Sequence, residues 1–391
     1  MISLGIVVQR YGAEVVGGAE TLARDVAERL AGQGLAVTVY TTCARDYVTW
    51  RNEYEPGESR LNGVVVRRFP VTRERDIAAF NRLSDAFFAV PPGGDRDEEA
   101  WIAEQGPLCP GLVQALADAE PGTDLYLFFT YLYYPTVAGL RALNKPVILF
   151  PTAHDELPIR MQLMAGVFRK PRTLFFLTQA EMDLVKRLFD PPGALRLVRT
   201  GLDMPGRADA GSFRRRYGLR APYLIYAGRI ERGKGLEPVF DHFRALRRER
   251  EVDLVLIGKK LMDLPDIPGL RYLGFVPEAD KYAAFQGALL SLQPSPLESL
   301  SITTLESFAM GTPVLVNRDC PALVEHVRAS GGGLTYGNEE EFLAGFRAVA
   351  GHPLRRWLMG RRGRRYVQQY YSWQAVIKEI MAGIDEILQK Q

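Results

Sequence analysis

The sequence lacks the long apolar runs, paired cysteines and charge excess that mark several large classes of protein. It contains no run of about 18 apolar residues, which argues against a membrane-spanning helix. Its cysteines (Cys43, Cys109 and Cys320) form no Cys-x-x-Cys pair, and they indicate a reducing, cytoplasmic compartment. A net charge of +3 on 391 residues does not suggest a nucleic-acid binder. The start, MISLGIVVQR, lacks the basic segment of a secretory signal peptide.

Short apolar runs rich in β-branched residues alternate with stretches of helical periodicity along the whole chain. The runs of the first half are LGIVV, AVTVYTT, VVVRRF, LYLFFT, PVILFPT, TLFFLT and LRLVRTG, and those of the second half are YLIYAG, DLVLIG, LRYLGF, ALLSLQP, PVLVN and GGLTY. Unbroken apolar strands separated by helices are typical of parallel sheets that are covered on both faces. The sequence therefore predicts an α/β protein.

The alternation is interrupted once, in a stretch rich in Gly, Arg and Asp at 200–222. We place a domain boundary in this stretch, because linkers have this composition. The predicted parts are an N-terminal domain at 1–203, a C-terminal domain at 204–370, and a last helical segment at 371–391 that crosses back to the first domain. Ligands are expected at the carboxyl ends of the parallel strands of two facing domains.

A glycine-rich loop follows the first strand of the second domain, in YLIYAGRIERGKGLEPVF (223–240). It differs from a P-loop at one position, because Gly235 stands where a Ser or Thr would hold Mg²⁺. The next strand ends in Gly258-Lys259 instead of an acidic residue, which also argues against an NTPase. An ordinary strand-to-helix turn is one interpretation. A diphosphate held without metal by Arg229 and Lys234, near a helix N-terminus, fits the residues better.

Glycines also follow the first strand of the first domain, at Gly12, Gly17 and Gly18. Their spacing is not that of a dinucleotide fingerprint, and the second strand ends without the acidic residue that would bind a ribose. NAD binding is therefore not expected. Gly17 and Gly18 still open a helix, so their backbone amides could approach a ligand phosphate.

The segment PSPLESLSITTLESFAMGTPVLV (294–316) carries the strongest motif. Its pattern predicts a loop containing Glu298, followed by a helix that contains Glu306 about one turn from its start. Ser301, Ile302 and Thr303 present backbone N–H groups at the start of this helix, which is an anion-binding arrangement. The two carboxylates flank that site and suit sugar hydroxyls. The alternative interpretation is that Glu298 is a solvated charge in a loop and that Glu306 interacts with the helix dipole.

The spacing E-x₇-E before A-M-G-T-P-V resembles the signature of retaining GT-B glycosyltransferases, in particular glycosyltransferase family 4. The resemblance covers nearly the whole chain. It includes G-G-A-E at 17–20, T-G-L-D at 200–203, the G-R-x-x-x-x-K-G loop and Y-S-W at 371–373. It implies the GT-B fold, which consists of two facing Rossmann-like, doubly wound parallel-sheet domains with a cleft between them.

The resemblance also implies roles for residues of the second domain. Arg229 and Lys234 would neutralise the diphosphate of the sugar donor, and Glu306 would hold the ribose hydroxyls. Glu298 would bind hydroxyls of the donor sugar. The backbone of 301–303 would meet the phosphates or the sugar.

Further roles follow by resemblance for positions outside that motif. The backbone near Val276 would contact the base, and Gly17 and Gly18 would approach the leaving group. The histidine of the first domain matches His154, which follows the strand PVILF. One departure follows the first glutamate of the motif. Many relatives carry Phe-Gly after it, whereas this chain has Ser299-Leu300-Ser301, which leaves the shape of the sugar pocket open.

The implied activity is that of a hexosyltransferase (EC 2.4 class) which acts with retention of configuration and requires no metal or other cofactor. A UDP- or GDP-sugar would donate the hexose to a hydroxyl of a glycan, a lipid-linked acceptor or a small molecule, as in polysaccharide biosynthesis. No nucleic acid is expected as a partner. The alternatives are a sugar-nucleotide epimerase of the same fold and a non-catalytic nucleotide-sugar-binding protein. A glycosidase or a pyridoxal phosphate-dependent phosphorylase ranks lower.

Two further segments bear on metal and membrane binding. The Asp-Arg-Asp at 95–97 lies in the loop PPGGDRDEEA instead of after a buried strand, so a solvated loop is favoured over a metal site. The segment LPIRMQLMAGVFRKPR (157–172) mixes apolar and basic residues. Weak peripheral contact with the inner face of the cell membrane is one interpretation. Packing of a helix on its own domain is favoured.

Overall fold

A computed structural model describes residues 2–91, 94, 96–118, 122–206 and 208–389. Its contacts divide the chain into two compact units. The first, called the N-terminal unit, comprises the described residues of Met1–Arg199 and of Val376–Gln391. The second, called the C-terminal unit, is Thr200–Ala375.

The N-terminal unit is built on an eight-stranded sheet with helices between its strands. Its strands are β1 (Ser3–Val7), β2 (Ala36–Thr42), β3 (Gly57–Leu61), β4 (Val64–Phe69), β5 (Leu125–Phe129), β6 (Val147–Phe150), β7 (Thr173–Phe176) and β8 (Ala194–Leu197). Its helices before residue 200 are α1 (Gly18–Gly32), α2 (Ile77–Ala89), α3 (Glu98–Gln105), α4 (Pro110–Ala117), α5 (Tyr134–Ala142), α6 (Met164–Arg169) and α7 (Gln179–Phe189), with a 3₁₀ turn at Leu157–Arg160.

The C-terminal unit contains a six-stranded sheet of the same kind. Its strands are β9 (Tyr223–Ala227), β10 (Asp253–Ile257), β11 (Leu270–Gly274), β12 (Leu290–Gln293), β13 (Val314–Asn317) and β14 (Gly333–Tyr336). Its helices are α8 (Ala210–Arg216), α9 (Leu236–Glu249), α10 (Glu278–Gly287), α11 (Ile302–Ala309), α12 (Pro321–Ser330), α13 (Glu339–Ala350) and α14 (Pro353–Tyr370), with a 3₁₀ turn at Arg232–Lys234.

Strand order places the ends of particular strands next to each other. The sheet of the N-terminal unit runs β3-β4-β2-β1-β5-β6-β7-β8, and that of the C-terminal unit runs β11-β10-β9-β12-β13-β14. In each sheet, the early strands lie on one side of the first strand, and the later strands lie on its other side. The switch points lie between β1 and β5 and between β9 and β12. Ligands of doubly wound sheets bind outside the strand ends at such points.

Every apolar run that the sequence marked as a strand forms one, and the predicted α/β fold is confirmed. The strand β3 was not predicted, and it pairs antiparallel with β4 at the edge of an otherwise parallel sheet. Its sequence, GESRL, is mostly exposed, so it carries none of the apolar signal of a buried strand. None of the helices that the structure describes is both long and apolar enough to cross a bilayer.

The last helix, α15 (Trp373–Leu388), completes the N-terminal unit. Gly383 lies so close to the ring of the buried Phe175 on β7 that a Cβ at this position would overlap the ring. Arg196 at β8 donates a hydrogen bond to Glu386 at 2.6 Å. The close approach of the α15 backbone to β7 therefore depends on a glycine.

We expect Gly383→Ala to destabilise the protein by about 1–3 kcal/mol, because a methyl group must be forced into a packed core. Gly166→Ala in α6 is the matched control, since nothing outside its own stretch of helix lies within 4 Å of the place where its methyl group would stand. The control should be neutral or stabilising by roughly 0.5–1 kcal/mol. Thermal unfolding of the full chain measures both. Equal unfolding temperatures for the two variants would contradict the close packing of α15 on β7.

Candidate active site

The glycine-rich loop of the C-terminal unit begins where β9 ends beside β10. The N–H of Gly228 donates to the carbonyl of Ile257 at 2.9 Å, and the hydroxyl of Tyr226 donates to the carbonyl of Arg229 at 2.6 Å. The Arg229 side chain lies 3.1 Å from the carboxylate of Glu231. The backbone of the loop is thus held on the strand end, and Arg229 emerges from it as the sequence predicted.

Gly235 explains why this loop does not have the serine or threonine of a P-loop. Its φ of +69° lies in the left-handed region, where side chains are rarely found. A Cβ at this position would also collide with the carbonyl oxygen of Pro294, in the loop that follows β12. The glycine is therefore required by contact between two backbones. No hydroxyl-bearing residue could stand here without moving one loop.

Lys234 and Glu298, predicted as separate ligands of phosphate and sugar, form an ion pair. The Lys234 Nζ lies 2.6 Å from Glu298 Oε1, and both side chains are about one-fifth exposed. They are 64 residues apart in sequence and meet because β9 and β12 are neighbours. Each charge holds the other in position, and both remain accessible to solvent. Charge-assisted bonds of this kind are short and strong.

The start of α11 carries a second group of predicted residues. Ser301 caps the helix, with its Oγ near the N–H of Thr304 and 2.9 Å from the Thr304 hydroxyl. The N–H groups of Ile302 and Thr303 lie in the first turn, ahead of the regular helical hydrogen bonds. Ser301 has a φ of +73°, a conformation that favours glycine. The chain thus places a serine in a left-handed conformation at the start of α11.

Gln293 is a site residue that sequence reasoning missed. It is the last residue of β12 and is buried, and its Oε1 accepts from the Thr303 hydroxyl at 3.2 Å and the Ser301 hydroxyl at 3.5 Å. Its amide therefore orients the hydroxyl groups at the start of α11. The available signal was a polar residue at the carboxyl end of the apolar run ALLSLQP.

Glu306 is buried within α11 and accepts a 2.5 Å bond from Lys281 on α10. Burial raises the pKa of the Glu306 carboxyl, and the nearby Lys281 ammonium only partly offsets this effect. Lys281 was missed because no motif marks it, and only the packing of α10 on α11 brings it to the carboxylate. Val276 follows β11 and is half-buried against an apolar core that includes residues of α10. Its predicted contact with the base stays a prediction.

Gly17 and Gly18 of the N-terminal unit have different environments. A Cβ on Gly17 would collide with the carboxylate of Glu20, which accepts from Gln9 at 2.8 Å and from the Arg10 Nε at 3.0 Å. All three of these polar side chains are buried. Gly17 is therefore required by the packing of its own unit. Nothing lies within 4 Å of the place where a Gly18 Cβ would stand, so that position is open.

His154 follows β6 in a turn with an unusual backbone. Thr152 has a φ of +50°, and the N–H of Ala153 donates to the buried Glu181 carboxylate at 2.7 Å. The His154 Nδ1 is buried, has no hydrogen-bond partner among the described residues, and lies 3.7 Å from Glu156 Oε1. A histidine nitrogen left unpaired at a strand end is consistent with the predicted ligand contact, which stays a prediction.

The two segments considered for metal and membrane binding have structural roles in the described parts of the chain. Asp95 lies outside the described residues, whereas Asp97 caps α3 by accepting from the Ala100 N–H at 2.9 Å. Within 2–91, 94, 96–118, 122–206 and 208–389, no three His, Cys, Asp or Glu side chains are grouped to hold a metal ion. In the segment 157–172, the apolar side chains of Ile159, Met164 and Phe168 are buried in the N-terminal unit, as the packing interpretation predicts.

Comparison with known proteins decides the class. Residues 221–350, which contain the glycine-rich loop and both glutamates, match the family model described as "Glycosyl transferases group 1". This part of the chain therefore resembles the group 1 glycosyltransferases. The predicted enzyme class is thereby confirmed at the level of glycosyl transfer.

Individual relatives of this chain are distant. The D-inositol 3-phosphate glycosyltransferase of Saccharomonospora viridis is 26% identical over 93% of this chain and 88% of its own. A GDP-mannose-dependent alpha-(1-6)-phosphatidylinositol dimannoside mannosyltransferase of Mycobacterium tuberculosis is 28% identical over 41% of this chain and 42% of its own. The crystal structure of Anabaena HepE in complex with UDP-glucose superposes with a TM-score of 0.71 at 14% identity, covering 99% of this chain and 100% of that chain. The predicted GT-B fold is confirmed.

Introducing the P-loop serine tests the backbone contact between the two loops. We expect Gly235→Ser to destabilise the C-terminal unit by about 1–3 kcal/mol, because the serine would have to adopt a left-handed conformation against the Pro294 carbonyl. Gly233→Ser, two residues earlier in an open position, is the matched control and should stay within about 0.5 kcal/mol of wild type. Chemical denaturation measures both. A Gly235→Ser variant as stable as the control would show that the loops do not touch.

Because Glu306 is buried, we expect its ionised carboxylate to lower the stability of the folded chain by an amount that depends on pH. Because the pKa of Glu306 is raised in the folded state, the folded chain binds the carboxyl proton more tightly than the unfolded chain does. The contribution of this group to stability therefore falls as the pH rises through the ordinary glutamate range toward the raised pKa. We expect Glu306→Gln to unfold at the same or a higher temperature than wild type at pH 7, and the difference to vanish in acid. The exposed Glu340→Gln is the control, and a large loss of stability in Glu306→Gln alone would contradict the argument.

Proposed function

We propose that this glycosyltransferase moves a hexose from a UDP- or GDP-sugar to an acceptor hydroxyl, with retention of configuration and without a metal ion. The acceptor class is a glycan, a lipid-linked sugar or a small molecule. The observation that carries the proposal is the juxtaposition of Lys234, Glu298 and the start of α11 at the β9–β12 switch point. The relatives include a GDP-mannose-dependent enzyme and a protein crystallised with UDP-glucose, which supports both donor series.

Electrostatics supports transfer without a metal. Cleavage of a sugar–phosphate bond places negative charge on the departing diphosphate. A well-placed donor to a developing oxyanion is worth roughly 3–4 kcal/mol, and a helix N-terminus adds about 0.3–2 kcal/mol. Arg229, Lys234 and the first turn of α11 supply such donors from the same sheet edge. In this proposal they do what Mg²⁺ does elsewhere.

The Lys234–Glu298 ion pair prepares the site for the donor. Before binding, each side chain holds the other near its working position, which reduces the ordering required later. When a diphosphate attracts Lys234, the Glu298 carboxylate becomes available to accept hydrogen bonds from hydroxyls of the sugar. The pair therefore couples phosphate binding to sugar binding. Glu306 accepts from the ribose hydroxyls, with Lys281 balancing its charge.

The proposed chemistry requires no nucleophile from the protein. The acceptor hydroxyl attacks the anomeric carbon from the face that the phosphate leaves, and the phosphate oxygen takes its proton. The protein's task is to position both groups and to stabilise the leaving charge. The roles of His154, Gly17, Gly18 and Val276 remain predictions within this scheme. A cytoplasmic location is part of the proposal and is supported by the free thiols of Cys43, Cys109 and Cys320.

Nucleotide binding in the presence of EDTA tests the donor site. The ligands are UDP, GDP, ADP, their common sugar conjugates and ATP, measured by thermal shift and calorimetry. We expect one diphosphate series to bind to wild type, and Lys234→Ala and Glu306→Ala each to weaken it by about 10- to 100-fold, since hydrogen bonds to charged groups are worth about 1.5–3 kcal/mol. Arg232→Ala is the matched control, because that side chain is 83% exposed in the same turn.

Turnover separates the alternatives. Release of free nucleotide in the absence of any acceptor would indicate an epimerase or hydrolase, and binding without turnover in any acceptor mixture would indicate a binding protein. For a product, the coupling constant of the anomeric proton reports retention. Binding of ATP only with Mg²⁺, or no nucleotide binding at all, would overturn the proposal.

A further inference from the structure

The helix α14 presents an unusual surface in the C-terminal unit, outside the candidate active site. It is 18 residues long and contains no acidic residue. It carries six arginines, at positions 355, 356, 361, 362, 364 and 365. The whole chain has a net charge of +3, so the remainder sums to 3 − 6 = −3. The net charge of this helix therefore exceeds that of the whole chain.

One face of α14 is fully used for packing. Met359, Gly360, Gly363, Tyr366 and Val367 are buried, and they recur at helical spacing. Cβ atoms at the two glycines would collide with the Gly311 carbonyl and the Phe308 ring, so α14 lies close against α11. This contact fixes which side of the helix faces outward.

The outward face combines exposed apolar side chains with arginines. Leu354, Trp357 and Leu358 are 69%, 53% and 40% exposed. On a helical wheel, Arg361 and Arg365 project on the same side as these three residues. Arg361 lies over the Trp357 ring at 4.7 Å. Within the described parts of the chain, none of the six arginines forms an ion pair with a carboxylate.

An open recess adjoins this face. It has a volume of about 370 Å³, and its lining includes Leu334, Leu354, Leu358 and Met359 together with Arg355 and Arg362. Two guanidinium groups beside an apolar wall match the phosphate of a lipid headgroup followed by its acyl chains.

We infer that α14 is a membrane-docking helix that binds the surface of an anionic phospholipid bilayer. Trp357, Leu354 and Leu358 enter the interfacial region, where tryptophan is favoured. The arginines contact lipid phosphates, which supply the negative charge that no carboxylate of the described residues provides to them. A nucleic acid would also satisfy the arginines, but it would leave the two leucines and the apolar recess without a partner. The surface lies outside the residues proposed for catalysis, so the inference does not depend on the proposed reaction.

Tryptophan fluorescence gives a readout specific to this helix. The chain has four tryptophans, and Trp50, Trp101 and Trp373 are at most 9% exposed, whereas Trp357 is 53% exposed. We expect vesicles of phosphatidylcholine mixed with phosphatidylglycerol to shift the emission to the blue and to bind the protein in flotation assays. Vesicles of phosphatidylcholine alone should do neither, and salt should weaken the binding. Trp357→Phe should remove the spectral shift while the protein still floats.

Charge variants test the arginines, with no sugar nucleotide present. We expect Arg361→Gln/Arg365→Gln to reduce affinity for anionic vesicles about 25-fold, at roughly fivefold for each lost charge. Two double variants lose the same charge elsewhere and should bind like wild type. They are Arg244→Gln/Arg248→Gln on α9 and Arg169→Gln/Lys170→Gln at the end of α6, whose residues are all exposed.

Three results would overturn the inference. The first is absence of binding to anionic vesicles, including the case in which the protein binds a single-stranded oligonucleotide instead. The second is vesicle binding that survives unchanged in Arg361→Gln/Arg365→Gln. The third is loss of binding in the Arg169→Gln/Lys170→Gln variant alone, which would assign membrane contact to the N-terminal unit. Unfolding temperatures of all variants should match wild type, because every substituted side chain is exposed.

Discussion

Parallel pairing between β9 and β12 places the loops after these two strands side by side, although about sixty residues separate them. Leu224 and Ile225 pair with Leu290 and Ser291, so both strands end at the same sheet edge. The loops then touch through backbone, at Gly235 and Pro294, and through charge, at Lys234 and Glu298. The remaining parts of the candidate donor site follow from this adjacency. The helix α11 starts where the second loop ends, and its first turn faces the same edge.

Several charged groups are buried in the described parts of the chain, each beside a partner. Glu306 is paired with Lys281 and Glu20 with Arg10, while Glu181 accepts backbone N–H groups near β6. An unpaired carboxylate in these places would cost several kcal/mol. The acids near strand ends are thus ready-made hydrogen-bond acceptors with fixed orientations. A site built in this way can select a ligand by the hydroxyl groups that it offers.

The fold was predictable because nearly every strand is a buried apolar run between helical stretches. The exposed β3 was missed, since an edge strand with polar residues on both faces has no such signal. The loop that carries Glu298 and the helix α11 that carries Glu306 were predictable because they lie on one continuous segment, with Ser301 at the helix start. Their contacts with a ligand stay predictions. Lys281 could not be found, because its partner is set by the packing of α10 on α11 and not by spacing. Gln293 was marked only by its place as a polar residue at the end of an apolar run. The close approach of Gly17 to the Glu20 carboxylate was not predicted either, because it is set by packing. The predicted ligand contact of Gly17 stays a prediction.

The N-terminal unit is discontinuous in sequence, and this has a consequence for synthesis of the chain. Its final helix, α15, leaves the ribosome only after the whole C-terminal unit has been made. At about 5–20 residues per second, the 176 residues of Thr200–Ala375 take roughly 10–35 s to translate. During that interval the surface around Phe175 and β8, which α15 later covers, stays open on the nascent chain. The unit whose synthesis begins first is therefore completed only after the second unit has been made.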